Sequence, residues 1–186
     1  MRRISLVWMC LSAVCCLATL QLPAQTRTRD PLTEKEVDEM RETADFPSKR
    51  IEVMVGFARV RINAIDQLRT DTKIPPDRPK QIHDLLEDFL TLLDEIDDNI
   101  DMYGAHKADM RKGLKLLIEA DSEFQLKLRQ LKEQSPPEEV QQYSFILTNA
   151  AEAAKESAEN ARTTLQEQNE LASQKKLNKD WSERKD

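Results

Sequence analysis

His83, Asp94, Asp97, Asp98, Asp101 and His106 are the side chains of this chain whose types and spacing could do chemistry, and that chemistry is cation binding. The run DEIDDNIDMYG, from Asp94 to Gly104, puts Asp97, Asn99 and Asp101 at the first three ligand positions of a calcium loop. The match then fails. The sixth position, which needs glycine, is Met102, and the twelfth, which needs a bidentate glutamate, is Ala108. Ile96, Ile100 and Tyr103 meanwhile carry an apolar helical stripe through the run, which predicts a helix. On a helix Asp94, Asp97, Asp98 and Asp101 stand at i, i+3, i+4 and i+7, with neighbouring β-carbons roughly 5–6 Å apart. Two of them can share a divalent cation weakly, but all of them cannot converge as the 6–8 oxygens around calcium must. These aspartates are the candidate metal residues, for loose divalent-cation binding only.

The two histidines cannot share a metal, since helix rise separates them by about 30–35 Å. His83 and Glu87 share a face at i, i+4 and read as an ordinary solvated pair. The Glu-x-x-His pairs of di-iron bundles are missing, as are haem-attachment and phosphate-binding motifs and the Gly-x-Ser-x-Gly elbow of a serine hydrolase. The sequence therefore reads as non-enzymatic, with no catalytic residue and no cofactor.

Charge is distributed unevenly. From Gln81 to His106 there are eight acids (Asp84, Glu87, Asp88, Asp94, Glu95, Asp97, Asp98, Asp101) and no Lys or Arg. Without Arg2 and Arg3 the 28 basic residues become 26, against 34 acidic, so the whole net charge sits in this segment. Like-charge pairs at i, i+3 or i+4 cost about 0.2–0.5 kcal/mol each, and the segment holds seven, so self-repulsion is on the order of 1.5–3.5 kcal/mol. The expected compensation is a turn back at Gly104 that sets Asp101 near Lys107 and Asp97 near Arg111, with Lys112 and Lys115 following. A continuous helix through Gly104 would instead leave the acids available to a partner. The acidic balance and the lack of a basic, aromatic surface argue against nucleic acid.

The chain opens Met1-Arg2-Arg3, continues as an uncharged, largely apolar run from Ile4 to Leu22, and offers Ala24 as a small residue for cleavage. Residues 1–25 thus read as a secretory signal peptide, with an uncleaved anchor over residues 4–22 as the alternative, the run being near the lower limit of a membrane span. The expected location is the bacterial periplasm or outside the cell. Contact with a membrane is expected only if the leader stays. Cys10, Cys15 and Cys16 all lie in the leader, so the rest of the chain must be held by its core rather than by disulfides.

The elements that must position these residues are helices. Leu, Ala, Glu, Lys, Gln and Arg dominate, aromatics are 5% of the chain, and prolines at 31, 47, 75, 76, 79, 136 and 137 punctuate long periodic segments. The expected fold is all-α: an antiparallel bundle of four main helices at about 48–70, 79–103, 106–133 and 136–175, preceded by a short helix at about 33–45. The bundle domain is expected over 31–172, with a frayed polar tail over 173–186.

Thr33 and Glu36 form a capping box for the short helix, and Ser48 or Asp45 is expected to cap the next. That second helix carries Ile51, Met54, Val55, Ala58, Ile62, Ile65 and Leu68 on one face, widened by Val53, Phe57 and Val60. Met110, Leu114, Leu117, Phe124, Leu128 and Leu131 form a bundle seam, with Asp121 at its missing position. Ser135 is expected to cap the last helix, with Pro136 first within it. An alanine-rich stripe runs along that helix, which at about 60 Å should project beyond its neighbours. Arg61, Asp97 and Asp121 fall on apolar faces and could form buried register-setting pairs or one polar pocket.

Leu32–Glu36, LTEKE, is similar to the Leu-Thr-x-x-Gln start signature of small periplasmic helical chaperones, with Glu36 in place of Gln. Any capping box yields that pattern, so no family membership follows from five residues. The function expected is an exported bundle acting by protein–protein contact, a scaffold or chaperone-like binder. An unknown protein partner would dock on the acidic face or the projecting helix.

Overall fold

The computed structural model of the chain describes residues 30–73 and 75–183, with side chains as far as Asn178; the leader expected over residues 1–25 lies outside the described residues. Five helices pack together with no strand among them: α1 (Glu34–Glu42), α2 (Pro47–Thr70), α3 (Arg78–Ala105), α4 (Arg111–Gln134) and α5 (Pro137–Glu183). Among the described residues no helix is long and apolar enough to cross a membrane.

Local chemistry accounts for the helix ends. The capping box of α1 forms as expected: the Thr33 hydroxyl accepts from the Glu36 N–H, and the Glu36 carboxylate accepts from the Thr33 N–H at 2.8 Å. The start of α2 differs from expectation. Neither Ser48 nor Asp45 caps it; Phe46 is the N-cap without a side-chain bond, and Pro47, lacking an N–H, occupies the first turn. The Ser48 hydroxyl donates instead to the Asp109 carbonyl, just before α4. Helix α5 begins one residue later than read, with Pro137 first and Ser135 serving as the C-cap of α4. It also continues as helix to Glu183, past the expected end near 175, because residues 173–183 contain neither glycine nor proline to stop it.

The turn between α3 and α4 is the main correction. Gly104 is helical, α3 runs on to Ala105, and α4 starts at Arg111 rather than 106. The chain reverses through His106–Met110 by a two-bond C-terminal closure: the Lys107 N–H donates to the Gly104 carbonyl at 2.9 Å and the Ala108 N–H to the Tyr103 carbonyl at 3.0 Å. The left-handed position that closure requires falls on Lys107, with φ 56°, and not on a glycine.

The bundle's arrangement also differs from a simple ring of antiparallel neighbours. Helix α2 lies beside α3 and α4, and α5 beside the same two, while the backbones of α3 and α4 keep apart. Cross-helix contacts give the directions. Ser48 with Asp109, Arg59 with Glu123 and Arg69 with Gln134 show α2 and α4 running parallel. Arg78 with Glu139 and Ser157 with Asp97 show α3 and α5 parallel. Arg50 with Asn99 and Arg162 with Asp121 show α2/α3 and α5/α4 antiparallel. Two helical hairpins thus lie side by side, and the 106–110 turn crosses the diagonal between them. Across that diagonal Phe89 and Phe124 meet edge to face, with ring centroids 5.2 Å apart.

The predicted stripes build the core. Ile51, Ile62, Leu86, Phe89, Leu114 and Phe124 are buried, and Tyr143, Leu147, Ala150, Ala154, Ala158 and Ala161 form the buried face of α5. The small alanines let α5 settle between α3 and α4. Val60, expected to widen the core face of α2, is 56% exposed. Gly113 allows the start of α4 to touch α2, since a β-carbon there would lie 2.8 Å from the Ser48 carbonyl oxygen and 2.9 Å from the Ile51 β-carbon. Among the described helices, α1 packs only on α2.

Candidate functional site

The C-terminal half of α3 presents the acidic face. Its inner side, Leu93, Ile96, Ile100 and Tyr103, is buried in the core, which fixes the helix's rotation and turns Asp94, Asp98 and Asp101 outward. Asp97 sits at the edge against α5, where its carboxylate accepts from the Ser157 hydroxyl at 3.1 Å and the Asn160 amide at 3.2 Å. Burial pushes the Asp97 carboxyl above its ordinary range, against the pull of those two hydrogen bonds, and Asp101 and Asp94 push it further. Asp94 is raised as well, by partial burial and by Asp98.

The expected neutralisation by the start of α4 does not occur. Because α3 and α4 are diagonal, Asp101 does not meet Lys107, and Asp97 does not meet Arg111. Arg111 turns back on Asp109, 2.6 Å away, and holds that carboxyl down at about 2. Lys112 stands 4.0 Å from Glu52 of α2. Among the described residues no Lys or Arg pairs with Asp94, Glu95, Asp97, Asp98 or Asp101. The face is an uncompensated line of carboxylates, with Met102 46% exposed at its end.

Arg61, Asp97 and Asp121 do not form one pocket; each is satisfied separately. The Arg61 guanidinium is held by both carboxylate oxygens of Glu36 and by the Pro31 carbonyl, docking α1 on α2, with Asp88 adding favourable field from α3. That pairing holds the Glu36 carboxyl down at about 2. Asp121, 4% exposed, accepts from Gln125 at 2.8 Å and from Arg162 of α5 at 3.3 Å. Two further buried polar links were not legible in the sequence. Arg50 donates to the Asn99 side chain and to the Met40 carbonyl, each at 2.7 Å, tying α1, α2 and α3. Arg78, itself 5% exposed, pairs with Glu139 and joins the first turns of α3 and α5. The one available signal was Asn99, a polar residue lying between the apolar positions Ile96 and Tyr103.

The four candidate metal aspartates do not gather. The one group of three or more possible ligands found among the described residues lies elsewhere on α3, where donor atoms of His83, Asp84 and Glu87 fall within 4.8 Å of one another. His83 Nδ1 is 3.9 Å from a carboxylate oxygen of each acid, and Asp84 also holds Lys80 at 2.7 Å. His106 is remote from this group; its ring nitrogen lies 2.7 Å from the Met102 carbonyl.

Beyond the bundle, α5 outruns its neighbours. Gln168 accepts from the Met110 N–H at 3.0 Å and donates to the Ala108 carbonyl at 2.9 Å, which marks the level of the α3–α4 turn. The helix continues past it with Leu171 and Leu177 52% and 65% exposed. Comparison of the chain with family models, with curated proteins and with solved structures gives no match.

Proposed function

We propose that this protein is a non-enzymatic helical bundle that works by protein–protein contact, as a scaffold or chaperone-like binder, in the exported compartment its leader addresses. The observation that carries this reading is the acidic face of α3, whose repulsion no Lys or Arg among the described residues relieves. A helix that keeps five carboxylates side by side gives up stability, and a positively charged partner returns it on binding. The partner chemistry that fits is a basic segment with apolar side chains, since Met102 lies among the acids. Charges of this kind govern encounter rate and specificity and weaken with salt over a Debye length of about 10 Å at 0.1 M.

The test uses fluorescence anisotropy with a labelled amphipathic lysine-rich peptide at low ionic strength. Asp94→Asn, Asp98→Asn and Asp101→Asn together should weaken binding at least tenfold, whereas neutralising the same number of acids on α5 should not. Equal affinity of wild type and the α3 variant would remove the reading.

A second reading is loose divalent-cation binding, and the His83, Asp84 and Glu87 group favours it over the aspartate run, because it supplies an imidazole with two carboxylates at near-chelating distance. Low-millimolar zinc should then raise the melting temperature, and His83→Gln should abolish the rise. No shift in wild type would dismiss it.

A further inference from the structure

Helix α5 projects from the same end of the bundle that carries the acidic face, and the two are matched in length. Residues 169–183 extend about 22 Å past the level of Gln168, at 1.5 Å per residue. Asp97 faces Ser157 and Asn160, so it lies about 14 Å below that level, with Asp98 at about 13 Å and Asp101 at about 8 Å. Lys175 and Lys176, both exposed, lie about 10 and 12 Å above it. Basic residues on the projection therefore stand as far beyond the bundle's end as the aspartates stand behind it.

We infer that the acidic face of α3 takes the projecting end of α5 from a second copy of this chain. The inference rests on the acidic face being a docking surface and names its occupant. Two copies related by a two-fold axis perpendicular to the bundle meet end to end, and each α5 runs antiparallel along the other copy's α3. Such a contact is isologous: one patch on both copies, made twice and closed. Lys175 and Lys176 then lie within a turn of the partner copy's Asp101 and Asp98, and Leu171 comes to the level of Met102. Leu171 and Met102, each left exposed in the single copy, supply apolar contact beside the charge pairs.

Sedimentation velocity on the whole chain, across low-micromolar to high-micromolar concentration, provides the first test. A dimer is expected at 20 mM salt, with dissociation strengthened at least tenfold at 500 mM. Lys175→Glu with Lys176→Glu should give monomer, Asp98→Lys with Asp101→Lys should give monomer, and an equimolar mixture of the two variants should recover a dimer, with one native contact and one in which the charges are exchanged. Geometry is tested by Asp101→Cys with Lys175→Cys in a background where Cys10, Cys15 and Cys16 are serine. Oxidation should yield a covalent dimer, while a control pair at Glu119 and Lys175 should not. Monomer at every concentration and no disulfide dimer would overturn the inference. If the lysine-rich peptide still bound to that monomer through Asp98 and Asp101, the docking reading would survive with a different occupant; if it did not bind, both would fall.

Discussion

Replacing Asp97 with asparagine should stabilise this protein at neutral pH, although it removes a side chain that makes two inter-helix hydrogen bonds. Asparagine keeps a carbonyl oxygen to accept from Ser157 and Asn160, the two donors at 3.1 and 3.2 Å. What it loses is a charge that is partly buried, faces no Lys or Arg among the described residues, and stands at i+3 from Asp94 and i−4 from Asp101. Each like-charge pair costs about 0.2–0.5 kcal/mol, so relief of two is worth about 0.4–1 kcal/mol. For a chain of this size that corresponds to a melting temperature higher by about 1–4 °C. The pH dependence follows from the raised Asp97 carboxyl. A group whose folded pKa lies above its unfolded value favours the folded state fully below the unfolded value, here 3.8, and loses that favour as pH rises through the folded one. The gain from Asp97→Asn should therefore be present at pH 7 and shrink toward zero near pH 4. Thermal melts followed by circular dichroism at both pH values measure it. A variant less stable than wild type at pH 7, or a gain unchanged at pH 4, would refute the reasoning.

Three other perturbations test the fold's construction. Gly113→Ala adds helix propensity worth about 1 kcal/mol, but its methyl meets the Ser48 backbone and the Ile51 β-carbon below 3.0 Å; overpacking of about 1–3 kcal/mol should win, and urea unfolding should show a net loss. Lys107→Gly should gain about 0.5–1 kcal/mol by the same assay, because a lysine at φ 56° carries a left-handed penalty that exceeds the added chain entropy. Glu36→Gln should cost about 3 kcal/mol, since it leaves the buried Arg61 guanidinium without its counter-charge. In wild type the stability that Glu36 supplies is present above its unfolded value of 4.5 and should be lost as pH falls toward about 2, which an acid titration of α1 docking will show.

The helices and their core faces were legible because apolar spacing and proline punctuation are local signals. Leu93, Ile96, Ile100 and Tyr103 had to be buried together, and they are. The capping box at Thr33 was legible for the same reason, its partners being three residues apart. What the sequence hid is lateral order. Nothing local says that α4 lies beside α2 rather than α3; that depends on shape, and Gly113 against Ile51 is the clearest expression of it. The error carried straight to the site, because Asp97 with Arg111 assumes that consecutive helices are neighbours. The turn was missed by three residues for a separate reason: glycine is the usual left-handed residue, and here Lys107 takes that position while Gly104 stays helical. The acidic face itself was fully visible as a run of sequence, and only its lack of cationic partners needed the fold.

That lack of partners is the centre of the account, and crosslinking from the face in the intact cell tests it most directly. A photo-reactive residue at position 98, compared with one at the exposed position 119 on α4, should give an adduct from 98 alone. The attached segment should be rich in Lys or Arg, whether from a second copy or another protein, and the adduct should vanish with Asp94→Asn and Asp101→Asn. Absence of any adduct from position 98 across growth conditions, or one that survives those two changes, would contradict it.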